Sequence, residues 1–312
     1  MTHFFKIKCD HIPQSEFLDQ LINLCDYSIK KNNSFEKEIC DDFNIDKQND
    51  YPIAAILANK KLSKDSKYTI FQATPCHFSL QRDFYKFERN LENECSSDEL
   101  QLLCEELNNH FSDVECNFFI YEKKLFFATL KKTNICTYFP EEINQIAERN
   151  FLPFGEDKTW WHKFINELQM FLFDHQINKK REECNQYPIN SIWFSGGGNK
   201  IRSNNMSQKI NVYSNLLLLK KIASFDSKLN LNEILTSNTF DDNSLIYDEV
   251  LQSNDNNDIF KFIFEALNAG KIKNLNLSLY FGFYKISFKT NLFSKLKFWK
   301  KKNNLLTILN EI

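Results

Sequence analysis

The sequence predicts an α/β fold with mixed sheets, flanking helices and two lobes, and three observations carry that prediction. Segments with helical spacing of apolar residues alternate with short runs of strand character in both halves of the chain. The 312 residues are 42% hydrophobic and 26% charged, a globular balance that supports a large core. The stretch from Ala73 to Asn205 alternates as a self-contained unit. Residues 1–72 and 206–290 are therefore expected to form one discontinuous α/β core lobe around an inserted, substrate-like lobe at 73–205, with residues 291–312 as a basic C-terminal tail.

Each element follows from local pattern. Residues 3–8 read as a strand. Ser15–Lys31 reads as an amphipathic helix capped by Ser15, with Phe17, Leu21, Leu24 and Ile29 near helical spacing. Ser34–Asp50 is polar and acidic, a loop or short helices, and Pro52 opens a small helix over Tyr51–Ala58. Tyr68–Gln72 and Leu80–Phe87 read as two strands joined through Thr74-Pro75-Cys76-His77. Ser97–Phe111 is a helix on Leu100, Leu103, Leu107 and Phe111, with Ser97 as its cap. Cys116–Tyr121 and Leu125–Leu130 form a hairpin around Glu122-Lys123-Lys124, and Pro140 and Pro153 punctuate the looser stretch Thr133–Phe154. A long helix begins at Asp157 and carries Trp161, Phe164, Leu168 and His175 on one stripe. Ile189–Ser195 is a strand running into Gly196-Gly197-Gly198. Asn211–Phe225 reads as a helix, Ser244–Val250 as a strand and Asp258–Ala269 as a helix closed by Gly270. Leu275–Lys289 closes the series as a hairpin.

Composition excludes several classes of protein. The nine cysteines are odd in number and show no C-x-x-C pair, which argues against a disulfide framework or a zinc ribbon and for reduced thiols. The residues Met1–Lys6 open no signal-peptide pattern, and the longest apolar runs are far too short to span a bilayer, so a cytoplasmic protein is expected. The net charge of −2 conceals an asymmetry: Ala266–Asn310 holds nine Lys and no acid, while residues 1–265 carry a net −10. The 31 Phe read as core filling in a compositionally biased chain.

The chemically informative stretch runs from Asp174 to Gly198. Three of the six glycines sit together at a strand end, where positive φ and close backbone approach expose N–H groups to an anion. Arg181 offers a fork for phosphate or carboxylate, and His175 and Asn178 are short-range polar partners. Plainer readings stand beside these. His175 keeps phase with the apolar stripe, as a hydrogen-bonded core histidine does, and a triple Gly also serves as a tight turn. If the helix ran on, Arg181 would point away from His175, so clustering requires the chain to leave the helix near Asn178. No Gly-Lys-Ser/Thr follows the glycines, and the dinucleotide spacing is absent.

The run Asp174-His175-x-x-Asn178-x-x-Arg181, then Pro188-x-Asn190-x-Ile192-Trp193-x-x-Gly196-x-Gly198, resembles the substrate-lobe signature of archaeal-type cofactor-independent phosphoglycerate mutases. It is closer still to a bacterial group akin to that lobe, the RpfE-type regulatory proteins, in which Asn-Ser-aliphatic-Trp-Phe-x-Gly-Gly-Gly recurs. Ala73-Thr74-Pro75-Cys76-His77-Phe78 with Arg82-Asp83 is similar to a second segment of that group, as are Leu107–Phe111, Asn166–Met170 and Phe298–Lys301. The chain departs from the pattern at Gln176, where Pro is usual, and at Ser195, where an aromatic is usual. The resemblance implies an alkaline-phosphatase-like, phosphoglycerate-mutase-like remnant. Its expected ligand residues are His77, Arg82, His175, Asn178, Arg181, Asn190 and the backbone of Gly196, Gly197 and Gly198.

Phosphoryl transfer in the mutases needs a Ser or Thr nucleophile and two divalent metals held by Asp and His from both ends of the chain. Here all six His lie at or before His175, and the first strand ends in Cys9-Asp10-His11 without the family's Asp-Gly. The expectation is therefore a non-catalytic regulatory relative, with no cofactor, that binds a small phosphorylated or carboxylate anion or presents a surface to a protein partner. Two alternatives stay open: a working mutase or phosphatase with a degenerate metal site, and an adaptor whose Lys289–Lys302 segment meets nucleic acid or an anionic membrane. Cys76-His77 does not make a nucleophile–base pair, because neighbours on an extended segment point to opposite faces.

Overall fold

The computed structural model describes residues 2–31, 34–58, 67–80, 85–130, 133–143, 152–199, 209–234, 244–250, 258–281, 284–290 and 304–309. It is a mixed α/β protein. In chain order its elements begin with β1 (Thr2–Cys9), α1 (Glu16–Leu24), β2 (Asp26–Lys30), α2 (Phe35–Asp42), α3 (Ile53–Leu57), β3 (Thr69–Leu80), β4 (Tyr85–Asn90) and α4 (Ser97–His110). Then follow β5 (Cys116–Tyr121), β6 (Lys124–Thr129), β7 (Ile135–Cys136), α5 (Pro140–Ile143), β8 (Phe154–Gly155), α6 (Lys158–Phe173), α7 (Gln176–Glu183) and β9 (Ser191–Gly198). The chain continues with β10 (Ile210–Tyr213), α8 (Leu217–Ala223), β11 (Leu229–Asn232), β12 (Leu245–Val250), α9 (Asp258–Asn268), β13 (Asn274–Phe281), β14 (Tyr284–Lys289) and α10 (Leu305–Leu309).

These elements divide into two compact units, residues 1–39 with 205–312, and residues 40–204. The first boundary between them falls between residues 39 and 40, ahead of residue 72. A cut at residue 72 would divide β3, which runs unbroken from Thr69 to Leu80.

The first unit is built on a seven-stranded sheet in the order β11-β10-β12-β1-β13-β14-β2. The five strands from β11 to β13 are parallel, and β14 and β2 join antiparallel. Alternation in β1 sends Phe5, Ile7 and Cys9 to one face, where Leu18, Leu21 and Ile22 of α1 and Phe260, Ile263 and Leu267 of α9 pack over them. The opposite face is covered differently. Lys6, Lys8 and Lys285 point outward from it and meet α2, with Lys6 Nζ 2.9 Å from Glu38, Lys8 Nζ 2.5 Å from Glu36, and Lys285 also on Glu38. Phe35 fits edge-on between Tyr247 and Tyr280. Burial pushes the Glu36 carboxyl up, but the Lys8 charge and hydrogen bond outweigh it and hold that group below the usual carboxylate range.

The second unit carries an antiparallel sheet, β4-β3-β6-β5, with β9 paired along β3. One face packs on α4 and α6 through Phe71, Phe118, Phe127 and Phe194 against Trp161 and Phe164, so the Phe-rich composition is core filling here. Pro75 sits inside β3 without disrupting it. It lies between Gln72, the last residue paired with β6, and Cys76, the first paired with β4, so no ladder bond needs its missing N–H. This is why the expected connector Thr74–His77 is part of β3, while the second expected strand corresponds to β4.

Three further expectations are corrected. The helix expected over Ser15–Lys31 stops at Leu24, and Asp26–Lys30 is an edge strand whose alternating burial suits period two. Ser15 does cap α1, accepting from the Leu18 N–H at 3.3 Å. The helix expected over Asn211–Phe225 is β10 followed by α8, because Ile210–Tyr213 completes the parallel ladder with β12. The cap of α4 is Ser96, one residue early, and with Glu99 it closes a full capping box. No helix among the described residues is long and apolar enough to cross a membrane.

Candidate functional site

The site predicted from sequence centres on the α6–α7 junction, and a helix break creates that junction. Trp161, Phe164, Ile165, Leu168 and Leu172 bury one stripe of α6. The helix then ends at Asp174, earlier than the exit near Asn178 that clustering was expected to require. His175 takes a β-region backbone and becomes the N-cap of α7. Its Nδ1 accepts the Ile177 N–H at 3.2 Å, which leaves the ring proton on Nε2, where the Glu106 carboxylate lies at ion-pair range. The histidine is buried, as its phase implied, but it works as a cap.

Asn178 is buried beside it, and its amide is wholly used. Nδ2 donates to Leu172 O and Ile189 O, both at 2.8 Å, and Oδ1 accepts the Ile189 N–H at 2.7 Å. Asn190 does the same for Phe78, accepting its N–H at 2.8 Å and donating to its carbonyl at 2.7 Å. That contact falls where β3 shifts register between His77 and Phe78. Asn108 of α4 treats Phe118 in the same way, at 2.7 and 2.8 Å. Each amide supplies one donor and one acceptor to a single residue's main chain, as a neighbouring strand would.

Arg181 is 1% exposed. Its Nε donates to Tyr187 O at 2.8 Å and its Nη1 to Glu99 Oε1 at 2.9 Å, while Nη2 is buried without a hydrogen-bond partner. His77 donates Nδ1–H to Pro188 O at 2.8 Å, and its ring lies 5.2 Å from Tyr187. Arg82 lies outside the described residues, as does most of the basic tail. The structure thus brings His175, Asn178 and Arg181 onto one short helix and its cap and ties Asn190 and His77 to its flank, with their polar groups turned toward backbone or toward Glu99 and Glu106.

The glycines have their own reason. Gly196 adopts φ 64°, and its N–H donates to Thr137 Oγ1 at 3.1 Å. A Cβ on Gly198 would come 2.5 Å from Pro52, and one on Gly197 would fall within the Phe71 ring, which Trp161 holds edge-on at 4.8 Å. Gly197→Ala is therefore expected to cost about 2–3 kcal/mol through overpacking. A urea titration showing an unchanged midpoint would remove packing as the reason for this glycine.

Gly197 and Gly198 also border an open cleft of about 920 Å³. Among the described residues its rim carries Asp46, Glu156 and Asp157 against Lys47, whose ammonium sits 5.8 Å from the Tyr51 ring. Asn134 positions two of these acids, its N–H on Asp157 at 2.7 Å and its amide on Glu156 at 2.6 Å. Buried Asp50 braces the wall, accepting from Thr137 N at 3.0 Å and Thr137 Oγ1 at 2.7 Å. Sequence reading passed over these groups, because neighbours in the cleft come from segments 22 to 87 residues apart. The Ser96-x-x-Glu99 box was the one missed feature with a local signal.

The two divalent metals that the resemblance implies do not fit the described residues. Asp10 and His11 pair with each other, Nδ1 to Oδ1 at 2.5 Å, while Asp248 stands beside Ile7 and Cys9 on the apolar side of the sheet. Among the described residues no three His, Cys, Asp or Glu side chains converge as metal ligands. Cys76 is fully buried, and burial pushes its thiol well above the ordinary value, which leaves no ready thiolate.

No protein-family model matches the chain, and no curated protein does. Among solved structures, it is similar to the cofactor-independent phosphoglycerate mutase from Thermoplasma acidophilum DSM 1728, with 12% identity over 92% of this chain and 89% of that one and a TM-score of 0.37. It is also similar to the PH0037 protein from Pyrococcus horikoshii, with 10% identity over 92% of this chain and 87% of that one and a TM-score of 0.40. At these values the likeness is too loose to carry an activity or a ligand over to this chain.

Proposed function

We propose that the chain is a non-catalytic, regulatory relative of the cofactor-independent phosphoglycerate mutases, of the RpfE type, that acts through contact with a protein partner. The observation that carries this reading is the use made of the signature residues. Asn178 and Asn190 spend their amides on backbone, Arg181 bonds Tyr187 O and Glu99 through Nε and Nη1, and His175 caps Ile177 with Glu106 at ion-pair range, which leaves only Arg181 Nη2 and His175 Nε2 without a hydrogen bond. A substrate lobe would keep such groups open toward a ligand. Among its described lining residues the cleft beside the glycines carries three carboxylates and one ammonium, a balance that disfavours a phosphorylated or carboxylate anion. On the outer side of α6, Met170 and Phe173 are 79% and 86% exposed one turn apart, an apolar pair suited to a protein contact.

A thermal-shift series with inorganic phosphate and 3-phosphoglycerate, run with and without magnesium and manganese, tests the reading together with a coupled mutase assay. No stabilisation and no turnover are expected. Stabilisation by 3-phosphoglycerate that disappears in Arg181→Lys would instead establish an anion site, and metal-dependent turnover would establish an enzyme.

A further inference from the structure

The outer stripe of α6 ends in two large apolar side chains that the core does not take. Met170 and Phe173 stand largely exposed, while Trp161, Phe164, Leu168 and Leu172 fill the inner stripe. One exposed apolar residue is ordinary, but two at helical spacing on an otherwise well-sorted helix form a patch. Exposed Asn166 and Glu167 precede them on the same face.

The charge around this patch is negative. From Asn166 to Asp174 the chain holds Glu167 and Asp174 and no Lys or Arg. Beside α6 lies α4, whose His110 ring sits 4.6 Å from Phe171 and whose His110 Nε2 is 3.6 Å from Glu167. That neighbour contains Asp98, Glu99, Glu105 and Glu106 and no Lys or Arg. Arg181 offsets Glu99, whereas Asp98 and Glu105 are exposed. The bases that flank the patch in sequence are Lys163, about two turns before Met170, and Lys179, 3.0 Å from Asp174. Both partners of that last pair are mostly in solvent, where an ion pair is weak and yields readily to a better one.

These signs choose among occupants. A second copy docked through the same patch would bring two acidic surrounds together about a two-fold axis. An anionic bilayer would meet the same carboxylates. A helix with apolar residues at three- and four-residue spacing and Lys or Arg along its flanks satisfies both the patch and the charges. We propose that α6 and α4 form a docking face for a basic amphipathic helix of a partner protein, with apolar side chains on Met170 and Phe173 and cations on Glu167, Asp174 and Glu105. The inference rests on the partner-binding reading above and names the class of partner.

Fluorescence anisotropy of labelled peptides of about five helical turns, titrated with the full chain, tests this. The probes are a Leu-Lys peptide with its leucines on one face, the Leu-Glu peptide of the same pattern, and a Leu-Lys peptide scrambled to lose that face. The first is expected to bind about tenfold more tightly than either comparator, and to weaken about tenfold when salt is raised to about 0.5 M. Phe173→Ser and Glu167→Lys alter exposed side chains, so both are expected to unfold at the wild-type temperature and to bind that peptide about tenfold more weakly. No binding of the amphipathic basic peptide, equal binding of the scrambled one, or variants that bind like wild type would each overturn the proposal. The phosphate and mutase assays read the regulatory proposal separately, so a peptide failure beside silent assays removes this docking face alone.

Discussion

Asp248→Asn is expected to stabilise the first unit at neutral pH by about 2–3 kcal/mol, a gain that vanishes near pH 4. Asp248 pairs with Ile7 in the parallel ladder between β1 and β12, on the side of the sheet that packs α1 and α9. Burial is the main force on its carboxyl and raises it to about 6; the Glu249 N–H bond at 2.9 Å opposes this, and the Glu249 charge adds to it. A carboxyl with a raised folded pKa binds its proton more tightly in the native state than in the unfolded one. Stability therefore falls as pH climbs from about 4 to about 6, and the deficit persists above that range. Asparagine keeps the shape and cannot ionise. Urea unfolding at pH 4, 5.5 and 7 reads the effect directly, and curves for wild type and variant that stay parallel at all three values would refute it.

Arg181→Met should act in the opposite direction, with a loss of about 3 kcal/mol at pH 7. The substitution removes the cation facing Glu99 and the donor to Tyr187 O from a position that is 1% exposed. Glu99 is already strained by burial; its bond from the Ser96 N–H and the Arg181 guanidinium outweigh that and hold its carboxyl below the usual range. A lowered carboxylate contributes stability above its unfolded pKa of about 4.3 and loses it as pH falls through the folded value. In Arg181→Met that acid-side loss shrinks. Adding Glu99→Gln keeps the capping box and removes the stranded charge, so the double variant should recover part of the stability. Equal losses in the single and double variants would mean that the ion pair is not what Arg181 is there to make.

Much of the architecture is legible in the sequence, and each failure has a local cause. Helices α1, α4, α6 and α9 follow from periodicity, because one face of each is buried and the other is not, and the hairpins β5–β6 and β13–β14 follow from their turn residues and apolar runs. Tyr27 lies three residues after Leu24 and so extends the helical spacing, whereas Tyr27 with Ile29 alternates as in a strand, and pairing with β14 decides between them. Pro75 reads as a breaker until the sheet provides a gap for it. At the candidate site, composition and order singled out His175, Asn178, Arg181 and Asn190, which lie together at α7 and the start of β9. Their direction was not legible. Whether an amide faces a ligand or a main chain depends on where distant backbone passes, and Phe78 and Ile189 are brought there by the fold.

The three asparagine staples change how the second unit fluctuates. The amide hydrogens of Phe78, Phe118 and Ile189 are sheltered by side chains rather than by ladder partners. Releasing them takes a turn about one or two χ bonds, with no strand separating. Slow isotope exchange at these positions therefore measures rotamer lifetime, while their neighbours in β3 and β6 report on opening of the whole sheet.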